Sequence, residues 1–358
     1  MPRSQILEKP RAIPGVSPVF IGRHREIAGL TAALEVADSG RMTAVAVAGE
    51  SGVGKTRLVT HFARQATGGG ATVLIGGCIE LEDACPPYWP FIDAFRRLLA
   101  RLEPEVADDL AGPFRRLLGR RDRARFFELV LEVAERLAAH SPAVLIIEDL
   151  QWADRSTRDL LGFLLANTID DRILVVGTYR DVGLRPDHPL LGLLGELRRR
   201  GARFMELAPF DGGELTQLVR EILGAEPDPE LLAAILSRSD GNPFFAEELL
   251  AAAHQGEPVG LTPSLRHIIH ARAAGLSGSA REVARVVAAG TGPVDQALLE
   301  AVAGLGAGLL DALRECVHSG VLVVDASGRF CFRHSLVREV VYGDLLPGEA
   351  ARIHAAYG

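Results

Sequence analysis

The clearest chemistry in this sequence lies in eight consecutive residues, GESGVGKT (Gly49–Thr56). They fit the spacing G-x-x-x-x-G-K-[ST], follow the β-branched apolar run TAVAVAG and open the amphipathic stretch KTRLVTHFARQA. A strand, a glycine loop and a helix amino terminus in that order turn successive backbone N–H groups toward a phosphate. Lys55 is placed to reach the β- and γ-phosphates, and the Thr56 hydroxyl to ligate Mg²⁺. Lys9 and Lys55 are the only lysines in a chain whose other fixed cations are arginines, which singles out Lys55. Gly49, Glu50, Ser51, Gly52, Val53, Gly54, Lys55, Thr56 and Arg57 are the expected cradle residues.

A phosphoryl-transfer site also needs a carboxylate to hold metal and order water, best placed at the end of a neighbouring strand in the same sheet. AVLIIEDLQWAD supplies Glu148 and Asp149 after five apolar residues. Spacing leaves open which acid serves the metal and which the attacking water. The next apolar run ends LVVGTYR, which brings Thr178 and Arg180 to the same edge. A guanidinium there can bind a γ-phosphate through paired hydrogen bonds, or it can pair with Asp181 or Asp154.

Strands must position these groups. TVLIGG (72–77), AVLIIED (143–149), RILVVGT (172–178) and RFMEL (203–207) are continuous apolar runs separated by helical segments. Such alternation predicts an α/β fold with a mainly parallel sheet covered on both faces. After Pro209 the strand signal stops, and DGGELTQLVREIL, DPELLAAILSRS and NPFFAEELLAAA carry helical spacing, with Asp211 as an N-cap. Three more helical patterns (279–289, 294–303, 307–318) lead into VLVVDASGRFCF, a hairpin around a Ser-Gly turn, which suggests a winged helix. The expected organisation is an arm at 1–18, a nucleotide-binding domain at 19–208, a helical lid at 209–275, a winged helix at 276–346, and the start of a downstream helical region at 347–358.

Composition bounds the function. The 358 residues suffice for two or three domains. With 39 basic and 46 acidic side chains, the net charge of -7 argues against a whole-chain grip on DNA or anionic lipid. Aromatic residues, at 6%, are too sparse for stacking platforms on single-stranded nucleic acid. Cys78, Cys85, Cys316 and Cys331 lack metal-ligand spacing and read as reduced, mostly buried thiols. The start, MPRSQILEKPRAIPG, shows no apolar signal segment, and the expected location is the cytoplasm.

Six segments in order, VFIGRHREI, GESGVGKT, IIEDLQWAD, VVGTYR, DGNPFFAEELL and FRHSLVREVVY, resemble the ATPase module of the signal-transduction ATPases with numerous domains. The match is closest to the large ATP-binding LuxR-type regulators of actinobacteria, with cyclase-associated ATPases as near relatives. The resemblance covers about residues 18–350. It implies ATP or ADP with Mg²⁺ as ligands and a core, lid and winged helix closing over the nucleotide, as in the plant-resistance and apoptosome ATPases. Phe20, Ile21, Gly22 and Arg23 would bracket the adenine, and Pro243 of Gly241-Asn242-Pro243 would pack on the base; for Phe20 and Ile21, core packing is an equal alternative. His334 matches the histidine that contacts the ADP β-phosphate, although Ser335 stands where the family has an acidic residue. The Glu148-Asp149 order departs from the pairs of some relatives, which implies slow hydrolysis.

The leading expectation is a switch that is closed with ADP and opens to self-associate with ATP. An inducer would act through a downstream sensor region, and promoters would be bound by a carboxyl-terminal helix-turn-helix outside this sequence. A replication-initiator or remodelling ATPase of the AAA+ type, with a DNA-contacting winged helix, is the competing class; a nucleotide-binding scaffold with decayed catalysis is a third. The cluster GRRDRARFF (119–127) reads as a solvated helix lead-in, ELRRRG (196–201) as a helix end, and CIELEDACPPYWPF (78–91) as a loop fixed by Trp89 and its prolines.

Overall fold

In the computed structural model, which describes residues 20–79, 86–100, 123–168, 171–254, 263–290 and 292–357, the apolar runs of the first half become parallel strands. These are β1 (Thr43–Gly49), β2 (Thr72–Gly77), β3 (Ala143–Glu148), β4 (Ile173–Tyr179) and β5 (Arg203–Leu207). Their order across the sheet is β2-β3-β4-β1-β5. Each neighbouring pair is parallel, so all carboxyl ends share one edge. The strand bearing Glu148 is therefore not the direct neighbour of β1, as the sequence suggested. β4 lies between them and carries Thr178 into the gap between the glycine loop and the acids.

Helices α1 (His24–Asp38), α2 (Lys55–Gly68), α3 (Trp89–Leu99), α4 (Arg123–His140), α5 (Arg155–Asn167) and α6 (Leu190–Arg199) accompany the sheet. β4 is buried at every position, which is why it reads as an unbroken apolar run. At Gly76 a Cβ would lie 1.9 Å from the Pro90 carbonyl oxygen, so only glycine lets the first turn of α3 seat on β2. This corrects the loop expected at Trp89: Trp89 opens α3, and Pro90 sits in a first turn that needs no N–H from it. Residues 80–85, Cys85 included, lie outside the described residues, as do the arm at 1–18 and the first part of the arginine cluster. The rest of that cluster begins α4, where Phe126 is buried and stacks on Tyr88 at 4.3 Å between ring centroids.

Contacts divide the described residues into two compact units, one within Arg23–Ala208 with His318–Gly320, the other within Pro209–Val317 and Val321–Gly358 together with residues 20–22. In the second, helical unit, Asp211 and Glu214 form a capping box at the start of α7 (Gly212–Leu223). Asp228 caps α8 (Pro229–Ser239). The buried Asn242 accepts from the amides of Phe244 and Phe245 at the start of α9 (Pro243–His254). Then come α10 (Pro263–Ala274), α11 (Gly278–Ala289), α12 (Gln296–Ala303) and α13 (Leu309–His318). The hairpin β6 (Leu322–Val324) and β7 (Phe330–Phe332) follows, extended by a bridge from Val294 to Phe330. This is the winged helix, and α14 (Ser335–Gly343) and α15 (Pro347–Ala356) complete the unit. One apolar core runs from Leu215 and Phe245 through Val283 to Leu336 and Ile353, with no break at residues 275–276. Cys78 and Cys316 are buried and Cys331 half-buried, all as thiols. No helix among the described residues is long and apolar enough to cross a membrane.

Candidate functional site

The loop after β1 takes its shape from glycines. Gly52 (φ 83°) and Gly54 (φ 105°) adopt backbone that L side chains rarely enter, which frees the loop to turn its amides inward. At Gly49 a Cβ would meet Val53 Cγ1 at 3.0 Å and the Leu207 carbonyl oxygen at 3.2 Å, so the loop closes tightly against β5. Lys55 is buried in the first turn of α2 and curls back over this loop, where Nζ donates to the carbonyls of Gly49 at 2.7 Å and Glu50 at 2.8 Å. Burial pushes its pKa down to about 8, opposed by Asp149 and assisted by the like charge of Arg180. An anionic phosphate group beside this ammonium would restore its full charge.

Glu148 ends β3 and bonds to the Thr56 hydroxyl. Burial raises its carboxyl above the usual range; the Thr56 hydrogen bond pulls the other way and the charge of Asp149 adds to the rise. Asp149 is held differently. Its backbone lies in the left-handed region (φ 57°, ψ 49°), unusual for a non-glycine residue, and its amide donates to Thr178 Oγ1 at 3.1 Å. Gln151, in the short turn Leu150–Trp152, donates from Nε2 to Asp149 Oδ1 at 2.9 Å and accepts the Arg180 amide on Oε1 at 3.0 Å. That turn approaches β4 through Gly177, where a Cβ would lie 2.5 Å from Leu150 Cδ1.

The structure thus gathers Lys55, Thr56, Glu148, Asp149, Thr178 and Arg180 at the carboxyl edge of the sheet. Asp154 is engaged elsewhere, capping α5 through the amides of Ser156 and Thr157. Arg57 is half-buried one residue after Thr56. One residue of the site was missed in the sequence. Gln151 gave only a faint signal, a polar side chain two positions after the acids. Arg23 has a more specific place than the expected bracket for adenine. It is buried in left-handed backbone, and its Nη2 donates to the carbonyls of Val53 at 3.2 Å and Ala208 at 2.7 Å, tying the glycine loop to the end of the sheet unit.

The remaining expected residues belong to the helical unit. Ile21 packs in its apolar core, Phe20 is half-buried, and Gly22 (φ 60°) lies against Glu214, where a Cβ would meet the carboxylate. Pro243 is buried at the start of α9. His334 is buried at the N-cap of α14, edge-on to Phe245 at 5.2 Å, with Nδ1 3.7 Å from Asp240 Oδ2. The Ser335 amide donates to the same oxygen at 2.7 Å. Burial alone would raise the Asp240 carboxyl, but the neighbouring His334 imidazole and the hydrogen bonds from Ser335 outweigh it and hold its pKa below the usual range. Asp240 therefore supplies an acidic group beside Ser335.

Residues 19–176 match the family model of the AAA ATPase domain. The chain is 26% identical over 365 aligned positions to an uncharacterized protein of Rhizobium meliloti (strain 1021), covering 88% of this chain and 34% of that one. It spans about a third of the length of this curated relative. Among solved structures, the Aeropyrum pernix ORC2 protein in ADPNP-ADP complexes aligns with a TM-score of 0.60 at 16% identity, over 95% of this chain and 96% of that chain. That likeness is one of fold. A Pyrococcus horikoshii signal transduction ATPase with numerous domains and a tetratricopeptide repeat sensor aligns at a TM-score of 0.40 and 18% identity, over 95% of this chain and 45% of that chain.

Proposed function

We propose that the AAA ATPase domain of this chain is a slow, regulatory ATPase whose bound nucleotide sets the state of a switch. The observation that carries this reading is the convergence of Lys55, the Thr56–Glu148 pair and the Asp149–Gln151–Arg180 chain at one sheet edge. The loop amides and Lys55 hold the β- and γ-phosphates. Thr56 and Glu148 offer a hydroxyl and a carboxylate, hard oxygen donors that suit Mg²⁺. Bound there, the ion would neutralise charge on the phosphate oxygens. The hydrogen bond to Thr56 supports a reading with Glu148 on the metal side and Asp149 orienting and polarising the attacking water. Arg180 reads the terminal phosphate and stabilises charge on it.

By the motif resemblance, Pro243 and His334 also respond to the nucleotide, ADP favours a closed state, and ATP favours opening and self-association. The same resemblance places the module in a larger LuxR-type transcriptional regulator, with promoter and inducer handled outside this chain. Phosphate release from MgATP tests the reading. The wild-type chain is expected to turn over slowly, and Asp149→Asn to lose about 10²-fold or more in kcat while retaining MgATP affinity. Absence of turnover in the wild-type chain would refute the ATPase assignment. Light scattering with ADP against a non-hydrolysable ATP analogue tests the switch, which fails if the assembly state is the same with both.

A further inference from the structure

Gln151 is a buried polar side chain at this edge, 8% exposed, to which none of the roles above has been given. Its orientation is fixed by its two partners. The Asp149 carboxylate can only accept, and the Arg180 backbone N–H can only donate, so a flipped amide would lose both hydrogen bonds. Its own backbone sits on β4 through the contact of Leu150 with Gly177, and the turn repeats itself in the bond from the Trp152 amide to the Asp149 carbonyl, 2.9 Å. The amide therefore spans from the residue that ends β3 to the residue that follows β4.

We propose that Gln151 is a positioning residue that sets the Asp149 carboxylate according to where the end of β4 carries Arg180. The inference rests on the ATPase reading and deepens it. Asp149 has its main chain fixed by Thr178, while its carboxylate keeps rotational freedom that Gln151 removes. A displacement of the Arg180 backbone, such as a terminal phosphate would cause by drawing on the guanidinium, moves the N–H that Gln151 accepts. The other end of the same rigid amide then turns the carboxylate. Two hydrogen bonds thus connect detection of the γ-phosphate to alignment of the group that orients water, and alignment errors on this scale are costly to catalysis.

The test compares MgATP turnover by the full chain in wild-type form and as Gln151→Ala and Gln151→Glu, with thermal melting and MgADP affinity as checks on the fold. Gln151→Ala should lose about 10–100-fold in kcat, the range seen when an outer partner of a functional ligand is removed, with KM and MgADP affinity unchanged. Gln151→Glu keeps the size of the side chain but sets a carboxylate against Asp149, where the two can only repel, so it should lose kcat at least as far as Gln151→Ala. Three results overturn the proposal: wild-type turnover in Gln151→Ala, a loss of MgADP affinity as large as the loss in kcat, or wild-type turnover in Gln151→Glu. If wild type itself releases no phosphate, the ATPase reading fails and takes this inference with it; if only the variants behave as wild type, this inference fails alone.

Discussion

The two units bury polar groups for different ends. In the sheet unit, Arg23, Glu50, Lys55, Gln151 and Thr178 are buried where the glycine loop and the ends of β3 and β4 meet. Four of them, Arg23, Lys55, Gln151 and Thr178, bond to backbone or carboxylate groups of residues that form the candidate site. In the helical unit, Ser239, Asn242 and His334 are buried where α8 and α9 meet α14. There Asp240 closes α14 from outside that helix, and Arg238 pairs with Glu339. Buried polarity in the first unit gathers around the glycine loop; in the second it joins α8 and α9 to α14. Left-handed backbone occurs at Gly52, Gly54 and Asp149 in one unit, and at Asp240 and Gly241 in the other.

This contrast is sharpest where a single Cβ decides the outcome. Gly76→Ala in the sheet unit should destabilise by about 3 kcal/mol, because the clash is with the Pro90 backbone; the matched change Gly278→Ala, which meets nothing within 4 Å in the first turn of α11, should be neutral or slightly stabilising. Equal melting shifts for the two would break the comparison. Arg23→Met should cost about 2 kcal/mol by stripping a buried donor from the Val53 and Ala208 carbonyls, and should also weaken MgADP binding measured by calorimetry. A stability loss without an affinity loss would separate Arg23 from the loop it bonds.

Asp240→Asn probes the helical unit and should cost about 1 kcal/mol, the usual value of a helix-terminal carboxylate bond. The sign with pH follows from its lowered pKa: the carboxylate stabilises the folded unit above the unfolded pKa and loses that contribution as pH falls through the folded value. The difference in melting temperature between wild type and Asp240→Asn should therefore shrink toward acid pH. The smallest effect is a proton count. With the Lys55 pKa near 8, polyphosphate binding at about pH 9 should take up a fraction of a proton, read as a binding enthalpy that varies with the buffer's ionisation enthalpy. Proton release on binding would contradict the burial argument.

What the sequence made legible was local. Lys55, Thr56, Glu148 and Asp149 lie within motifs whose chemistry is carried by adjacent residues, and the strands that bear them are continuous apolar runs because both sheet faces are covered. Asp211 and the hairpin at 322–332 were equally readable, since a cap and a turn are written in a few neighbouring positions. What escaped depends on approach through space. The insertion of β4 between β1 and β3 is set by which faces the helices cover, and no single segment encodes it. Arg23 bonds to Ala208, 185 positions away, and Gln151 to an amide 29 positions away. Asp240 stands next to the Gly241-Asn242-Pro243 motif, yet its partner is the Ser335 amide, 95 positions away.

The central claim is that the glycine loop and the buried ammonium of Lys55 form a site for the phosphates of an adenine nucleotide. Calorimetric titration of the purified chain with MgADP and MgATP, alongside Lys55→Ala, tests it most directly. The account predicts saturable heat for wild type with both nucleotides and a binding curve lost or strongly weakened in Lys55→Ala at unchanged melting cooperativity. No heat in wild type, or the same affinity in both proteins, would contradict it.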